Sequence, residues 1–290
     1  MKALWLVSFR PIGKSKVNDF FQSIFVDSIK SLDFDITFSL TQFGEPQVKE
    51  FIKNKEITNI YNDISKSELP VGKKYSNKMM LENALDQFID GEFQYLIYST
   101  ADIIVPNNLF KVLSNIKNER FCALIYPNTH VTNGKIKNNF WPHYGIDLIV
   151  FKISKIDAQN FKKKIKNYNQ YDWGINENFY IAAADALDLK LINLFKFLNV
   201  VKFDNDFEAF VEDRSWQIKA WKENQKYLLE FLKDNNLSKF YAFGSYYYLL
   251  FKIFNIRDLN INLLLSYLIF YPYNLTKKTI SKIKEIFKIS

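Results

Sequence analysis

The chain has 290 residues, long enough to bury a large core and to form one large domain with an appendage. Hydrophobic residues make up 48% of it and charged residues 24%, proportions that exclude a disordered chain. The single cysteine, Cys122, excludes an intramolecular disulfide and a multi-cysteine zinc site. Because Cys122 lies within an apolar run, we expect a buried core residue and not a nucleophile.

The net charge of +8 raises the question of nucleic-acid binding, but the basic residues form no recognised nucleic-acid motif. Lysines recur among apolar residues at helical spacing between residues 277 and 288, a pattern typical of an anionic membrane contact or of a solvated terminal helix. No apolar segment reaches the roughly 20 residues needed to cross a bilayer. The apolar N-terminal stretch ends at Arg10 without the cleavage site of a signal peptide. These features predict a cytoplasmic protein, with the basic tail as a candidate peripheral contact to the inner face of the cell membrane.

Short apolar runs alternate with helical patterns over the first two-thirds of the chain, which predicts an α/β fold with a mostly parallel sheet flanked by helices. Residues 76–90 have one apolar face at helical spacing, and Ser76 is the predicted N-cap of that helix. From about Trp216 the pattern is helical again, followed by two strongly aromatic stretches. The predicted strands are residues 3–8, 35–40, 58–61, 94–99, 121–126 and 146–151.

The most informative stretch runs from Tyr95 to Pro106, where an apolar run ends in Thr100, Ala101 and Asp102 before turning apolar again. An apolar run of this length predicts a strand buried on both faces of a parallel sheet. Open α/β sheets bind ligands just beyond the carboxyl ends of their strands, where we expect Asp102. A carboxylate there can hold a divalent cation, and the cation can hold a diphosphate. The alternative is an aspartate that only caps the following helix.

The order of helix, buried strand, Asp102 and proline resembles the metal-binding Asp-x-Asp segment of GT-A glycosyltransferases, with Thr100 in place of the first carboxylate. The resemblance covers residues 1–225 and implies a GT-A-like catalytic domain there, followed by a helical, aromatic-rich region over 226–290. It also implies that Asp102 binds Mn²⁺ or Mg²⁺ and that Thr100 contacts at most a ribose or a water.

The stretch from Asp172 to Glu177 resembles the Trp-Gly-x-Glu-Asp motif of the same fold, whose final acid lies by the acceptor and acts as general base. Glu177 matches that acid, and Asn176 occupies the place of the preceding Glu. Inverting sugar transfer needs a carboxylate that takes the proton of the acceptor hydroxyl. The resemblance therefore implies Glu177 as the base, with Asp172 as second candidate and Trp173 as a sugar contact. The alternative is a glycine turn that starts a helix, with both acids at its positive end.

A turn rich in ring side chains precedes the strand predicted at residues 146–151, an arrangement that can line a sugar pocket. Aromatic faces stack on sugars while polar groups bind hydroxyls, which makes His143, Tyr144 and Asp147 candidates for donor or acceptor contacts. A lone histidine, however, is more often a structural residue than a ligand.

Related enzymes carry two histidines near the position of Lys202, one of which completes the metal shell. Here Lys202 and Asn205 replace both. Either Asp204 or Asp206 supplies the last ligand of a hard cation, or Lys202 itself neutralises the diphosphate and metal dependence is weakened. An acid-rich surface loop is the third interpretation.

Ser8 and Arg10 follow the first predicted strand, where the nucleotide binds in this fold. Arg10 can stack on the base or contact a phosphate. Lys78, on the helix before the strand at 94–99, is placed in many relatives to contact the nucleotide or the diphosphate.

These resemblances imply a glycosyltransferase that uses a UDP- or GDP-sugar and a glycan or lipid-linked acceptor, in bacterial capsule or lipopolysaccharide synthesis. A sugar-phosphate nucleotidyltransferase is the enzymatic alternative, although residues 8–15 lack its usual glycine-rich loop. A catalytically silent glycan- or membrane-binding module is the alternative outside enzymes.

Overall fold

The computed structural model describes residues 2–132, 135–138, 146–172, 176–195, 197–203 and 214–243. The chain divides into a unit Met1–Tyr248 and a unit Leu249–Ser290, and the second lies outside the described residues. Of the helical, aromatic-rich region predicted for residues 226–290, residues 244–290 with the basic tail lie outside the described residues, and what was expected of them stays a prediction.

The described part is an α/β structure whose elements follow the predicted alternation. The strands are β1 Lys2–Ser8, β2 Asp35–Gln42, β3 Asn59–Asp63, β4 Tyr95–Thr100, β5 Ile103–Ile104, β6 Phe121–Ile125, β7 Thr129–Thr132, β8 Lys135–Asn138, β9 Leu148–Lys152, β10 Lys190–Asn193 and β11 Val201–Phe203. The helices are α1 Lys16–Lys30, α2 Pro46–Asn54, α3 Asn77–Asp90, α4 Leu109–Ser114, α5 Lys155–Ile165, α6 Asn176–Asp185 and α7 Arg214–Asp234.

Each predicted strand corresponds to an observed one within two residues at either end, namely β1, β2, β3, β4, β6 and β9. Ser76 is the N-cap of α3, and its hydroxyl accepts a hydrogen bond from the Met79 N–H at 3.2 Å. The predicted domain boundary at residue 225 falls within α7, and the division itself stays a prediction.

The large sheet has the strand order β10-β6-β9-β4-β1-β2-β3. Within the described residues its strands run parallel except β9, which is antiparallel to both neighbours, β4 and β6. The central strands are buried along almost their whole length, as predicted for a sheet covered on both faces. Cys122 on β6 is fully buried, which confirms it as a core residue.

A second sheet, in the order β5-β11-β7-β8, extends beyond the carboxyl end of β4. Strand β5 starts one residue after Asp102, and β11 pairs with it antiparallel, with Lys202 opposite Ile103. The N–H of Phe203 donates to the carbonyl of Asp102 at 2.9 Å. This pairing brings Lys202 alongside Asp102. No helix in the described ranges is long and apolar enough to span a bilayer.

One buried side-chain hydrogen bond joins β1 to β4 next to the site. The Trp5 indole N–H donates to the Ser99 hydroxyl at 2.8 Å, and both residues are fully buried. A buried donor without its acceptor costs free energy because water cannot reach it.

Ser99→Ala is therefore expected to lower the free energy of unfolding by about 1–3 kcal/mol. Ser114→Ala, in the exposed last turn of α4, is the control and should change it by less than about 0.5 kcal/mol. Urea denaturation of the two variants measures both values. Equal effects would show that the Trp5–Ser99 bond contributes nothing.

Candidate active site

Asp102 lies at the carboxyl edge of the large sheet, as predicted, and is only 6% exposed. Its Oδ2 atom accepts a hydrogen bond from the Arg10 guanidinium at 3.1 Å, and its Oδ1 atom lies 3.6 Å from the Lys202 ammonium. Two cations therefore flank one buried carboxylate. The side chain does not point into solvent, and it does not cap the helix that begins at Leu109.

Asp147 joins this cluster because β9 is antiparallel, so that the start of β9 meets the end of β4. The N–H of Thr100 donates to the Asp147 carbonyl at 3.1 Å, and the Thr100 hydroxyl donates to Asp147 Oδ1 at 3.4 Å. The Lys202 ammonium donates to the same Oδ1 atom. Asp147 Oδ2 is buried and has no hydrogen-bond partner within the described residues.

The charged groups of this cluster keep one another ionised. Burial by itself raises the pKa of Asp102, but Lys202 and Arg10 oppose it and hold the pKa below its usual value. Burial by itself lowers the pKa of Lys202, yet Asp102 and Asp147 outweigh it and raise the pKa overall. Asp102 is therefore an anion and Lys202 a cation at neutral pH.

Glu177, the predicted general base, lies in the first turn of α6, the position expected by the alternative interpretation of a glycine turn that starts a helix. The Tyr98 hydroxyl donates to its Oε1 atom at 3.3 Å. Burial is the main cause that raises the pKa of Glu177 to about 7, and the negative charge of Asp147 adds to it. Its own backbone N–H, Lys202 and Tyr98 act in the opposite direction. A carboxylate with this pKa can both accept and release a proton near neutral pH.

Asp172, the second candidate base, is bound to the backbone of another segment. Its Oδ1 atom accepts hydrogen bonds from the N–H groups of Lys74 at 2.7 Å and Tyr75 at 3.3 Å. The Asn77 amide donates to the Asp172 carbonyl, and Asp172 adopts a positive φ of 57°. These contacts attach the loop before α6 to the start of α3, which is a structural role.

A small pocket beside Asp102 is lined in part by residues of α1 that were not predicted from the sequence. Arg10 donates from its backbone N–H to the Gln22 amide oxygen at 2.6 Å and from its guanidinium to Asn18 at 3.3 Å. Asn18 and Gln22 are both buried, one turn apart, among the apolar residues of α1. The sequence signal from which Asn18 and Gln22 could have been found is their spacing of one helical turn on the apolar face of α1. Tyr98, the partner of Glu177, carried no such signal within its apolar run.

The structure does not bring every predicted residue to this cluster. Ser8 ends β1 directly opposite Thr100, at the same edge of the sheet. The Lys78 ammonium instead donates to the Lys166 carbonyl and lies 3.7 Å from Glu82. The remaining predicted residues lie outside the described part of the chain: His143, Tyr144, Trp173, Asp204 and Asp206.

The described residues do not fit the divalent cation that the resemblance implies. Asp102 and Asp147 face the Lys202 ammonium, which already takes the position between their carboxylates. Within the described residues, no group of three or more histidine, cysteine, aspartate or glutamate side chains could hold a metal ion. A metal at this position would have to displace a buried ammonium.

Comparisons with known proteins show the fold. The sequence matches no protein-family model and no curated protein. Among solved structures, S. aureus TarS residues 1–349 in complex with UDP-GlcNAc is similar with a TM-score of 0.52 and 9% identity, over 83% of this chain and 69% of that chain. GalNAc-T7 with UDP, GalNAc and Mn²⁺ gives a TM-score of 0.46 and 12% identity, over 84% and 56%. The inositol-1-phosphate CTP transferase from T. maritima gives 0.43 and 10%, over 82% and 97%.

The similarity to the TarS structure, at 9% identity, concerns the fold alone. That fold is of the GT-A-like, Rossmann-type class, which confirms the fold predicted from the sequence.

The raised pKa of Glu177 predicts a pH-dependent cost to stability. The unfolded chain ionises this group near its ordinary pKa of 4.5, whereas the folded protein ionises it at about 7. The folded state therefore loses stability as the pH rises from 4.5 through 7, and the loss is complete above 7. Glu177→Gln should raise Tm by roughly a few degrees at pH 8 and by much less at pH 5.

Differential scanning calorimetry at the two pH values measures this difference. Glu92→Gln, an exposed glutamate before β4, is the matched control and should leave Tm unchanged at both. An equal shift of Tm for Glu177→Gln at pH 5 and pH 8 would show that Glu177 ionises normally.

Proposed function

We propose that this protein is a glycosyltransferase that moves a sugar from a nucleoside diphosphate donor to a hydroxyl of a glycan or lipid-linked acceptor. The observation that carries the proposal is the buried Asp102–Lys202 pair with Arg10 at its rim, at the carboxyl edge of a mostly parallel sheet, with the Glu177 carboxyl nearby. Ligands of open α/β sheets bind at this edge.

The donor half of the site offers two cationic side chains and several polar groups. Arg10 and Lys202 supply two cations at the end of β1 and β4, where a diphosphate can be bound. The buried Asp147 Oδ2 atom suits a sugar hydroxyl, because a hydroxyl donor would satisfy it. Ser8 and Thr100 lie at the same edge, within reach of the nucleotide part.

The acceptor half of the site is Glu177. In the proposed transfer the acceptor oxygen forms a bond to the anomeric carbon, and the bond from that carbon to the diphosphate oxygen breaks. The electron pair of the broken bond leaves with the diphosphate, and the hydroxyl proton goes to Glu177. A pKa of about 7 suits this role, since the group is then a base near neutral pH and strong enough to take the proton.

We further propose a UDP- or GDP-sugar donor and a role in bacterial capsule or lipopolysaccharide synthesis. The pattern of lysines and apolar residues in 277–288 supports peripheral contact with an anionic membrane that carries lipid-linked acceptors. Since the described residues do not fit a divalent cation at Asp102, no step of this mechanism passes through Mn²⁺ or Mg²⁺.

Glu177→Gln should lower the rate of sugar transfer by about 10²–10⁴-fold, because the amide cannot take the proton. The wild-type rate should rise with pH to a plateau, with a midpoint near the Glu177 pKa of about 7. Release of UDP or GDP from a panel of sugar nucleotides, with bacterial surface glycans as acceptors, measures both.

Glu92→Gln is the control here too and should keep the wild-type rate. Equal rates for Glu177→Gln and wild type would remove Glu177 from the mechanism. Release of pyrophosphate from UTP or CTP and a sugar phosphate would identify a nucleotidyltransferase instead. Failure to bind any sugar nucleotide would identify a silent binding module.

A further inference from the structure

The central position of the site holds a lysine where two carboxylates meet. The Lys202 ammonium donates to Asp147 Oδ1 and lies 3.6 Å from Asp102 Oδ1. The three side chains are 15%, 7% and 8% exposed, respectively. A cation held in this way is shielded from solvent salt and has a fixed place.

We propose that Lys202, assisted by Arg10, replaces the divalent cation and binds the diphosphate of the donor, so that transfer needs no added metal. This inference rests on the proposed function, because it assumes a nucleoside diphosphate donor. It adds that the charge which neutralises the diphosphate belongs to the polypeptide itself.

The charges of the cluster are those of a metal site. A divalent cation between two carboxylates forms a neutral group, and Lys202 and Arg10 together with Asp102 and Asp147 form a neutral group as well. A second cation between the same carboxylates would repel the ammonium at short range in a site with little water. The cluster therefore accommodates the lysine or a metal, and in this structure it is built around the lysine.

Lys202 also has the donors that a diphosphate requires. An ammonium has three N–H donors, and two carboxylates can take two of them, which leaves one for a phosphate oxygen. The Arg10 side chain is one-third exposed at the rim of the site, and guanidinium groups bind phosphates with two parallel hydrogen bonds. Together they can contact both phosphates of a diphosphate.

The backbone places Lys202 before any ligand arrives. Strand β11 pairs with β5 on one side and with β7 on the other, and Lys202 is the middle residue of β11. Because the ammonium is already oriented by two carboxylates, little reorganisation is needed when charge develops on the leaving diphosphate. Lys202 keeps its proton throughout and stabilises the departing oxygen by hydrogen bonding.

Isothermal titration with UDP and with GDP, once in EDTA and once in MnCl₂, tests the inference on the intact protein. We expect the wild type to bind one of these nucleotides with the same Kd in both conditions. Lys202→Ala should weaken binding in EDTA about tenfold or more. Mn²⁺ should restore part of that loss, since the variant frees Asp102 and Asp147 to hold the metal.

Lys202→Arg, which keeps the charge, should retain metal-free binding. Lys135→Ala, an exposed lysine on β8 of the same small sheet, is the matched control and should bind as wild type. Circular dichroism and Tm report whether each variant folds. If Lys202→Ala does not fold, the comparison of EDTA with MnCl₂ on the wild type still tests whether nucleotide binding needs a metal.

Binding by the wild type only in MnCl₂ would overturn this inference and leave the proposed function standing. Unchanged binding by a folded Lys202→Ala variant in EDTA would overturn it as well. Binding of neither nucleotide in either condition would overturn the inference together with the proposed function.

Discussion

The arrangement of this site depends on one buried carboxylate that has two cationic partners. A buried charge is tolerated only when it is paired, and removal of one partner of such a pair costs about 3–5 kcal/mol. Asp102 meets this condition through Arg10, which follows β1, and Lys202, which lies on β11. Segments that are distant in sequence are thereby joined at one edge of the large sheet. The small sheet, in which β5 and β11 pair, maintains that contact through its backbone.

Two buried carboxyl groups of this site have pKa values that are shifted in opposite directions. Asp102 is buried next to two cations, so its pKa stays low, whereas the burial of Glu177 raises its pKa to about 7. Pairs of titratable groups whose pKa values are pushed apart are the arrangement that divides roles in an active site. Here one group is fixed as an anion that orders the cations, and the other is able to exchange a proton.

The sequence was sufficient to predict those features whose signal is local and those whose position is defined by the end of a strand. The apolar run before Asp102 predicted a buried strand and its edge, and Ser76 was recognisable as an N-cap. The alternative interpretation of residues 172–177, a glycine turn that starts a helix, placed Glu177 in the first turn of that helix, where the structure has it. The antiparallel direction of β9 was not predictable from its residues, because strand direction depends on which distant strands it joins. That direction is what brings Asp147 to the site.

The short strands of the second sheet gave no periodic signal, since β5 has two residues and β11 has three. Their pairing nevertheless determines that Lys202 contacts Asp102. The sequence left open whether a metal ion or Lys202 neutralises the diphosphate, and the contact between Lys202 and the two carboxylates is visible only in three dimensions. A crystal structure of the protein with UDP or GDP, grown in EDTA, tests the central claim most directly. The account predicts diphosphate oxygens within hydrogen-bond distance of Lys202 Nζ and the Arg10 guanidinium. A diphosphate bound elsewhere, with the Asp102 cluster unchanged and untouched, would contradict it.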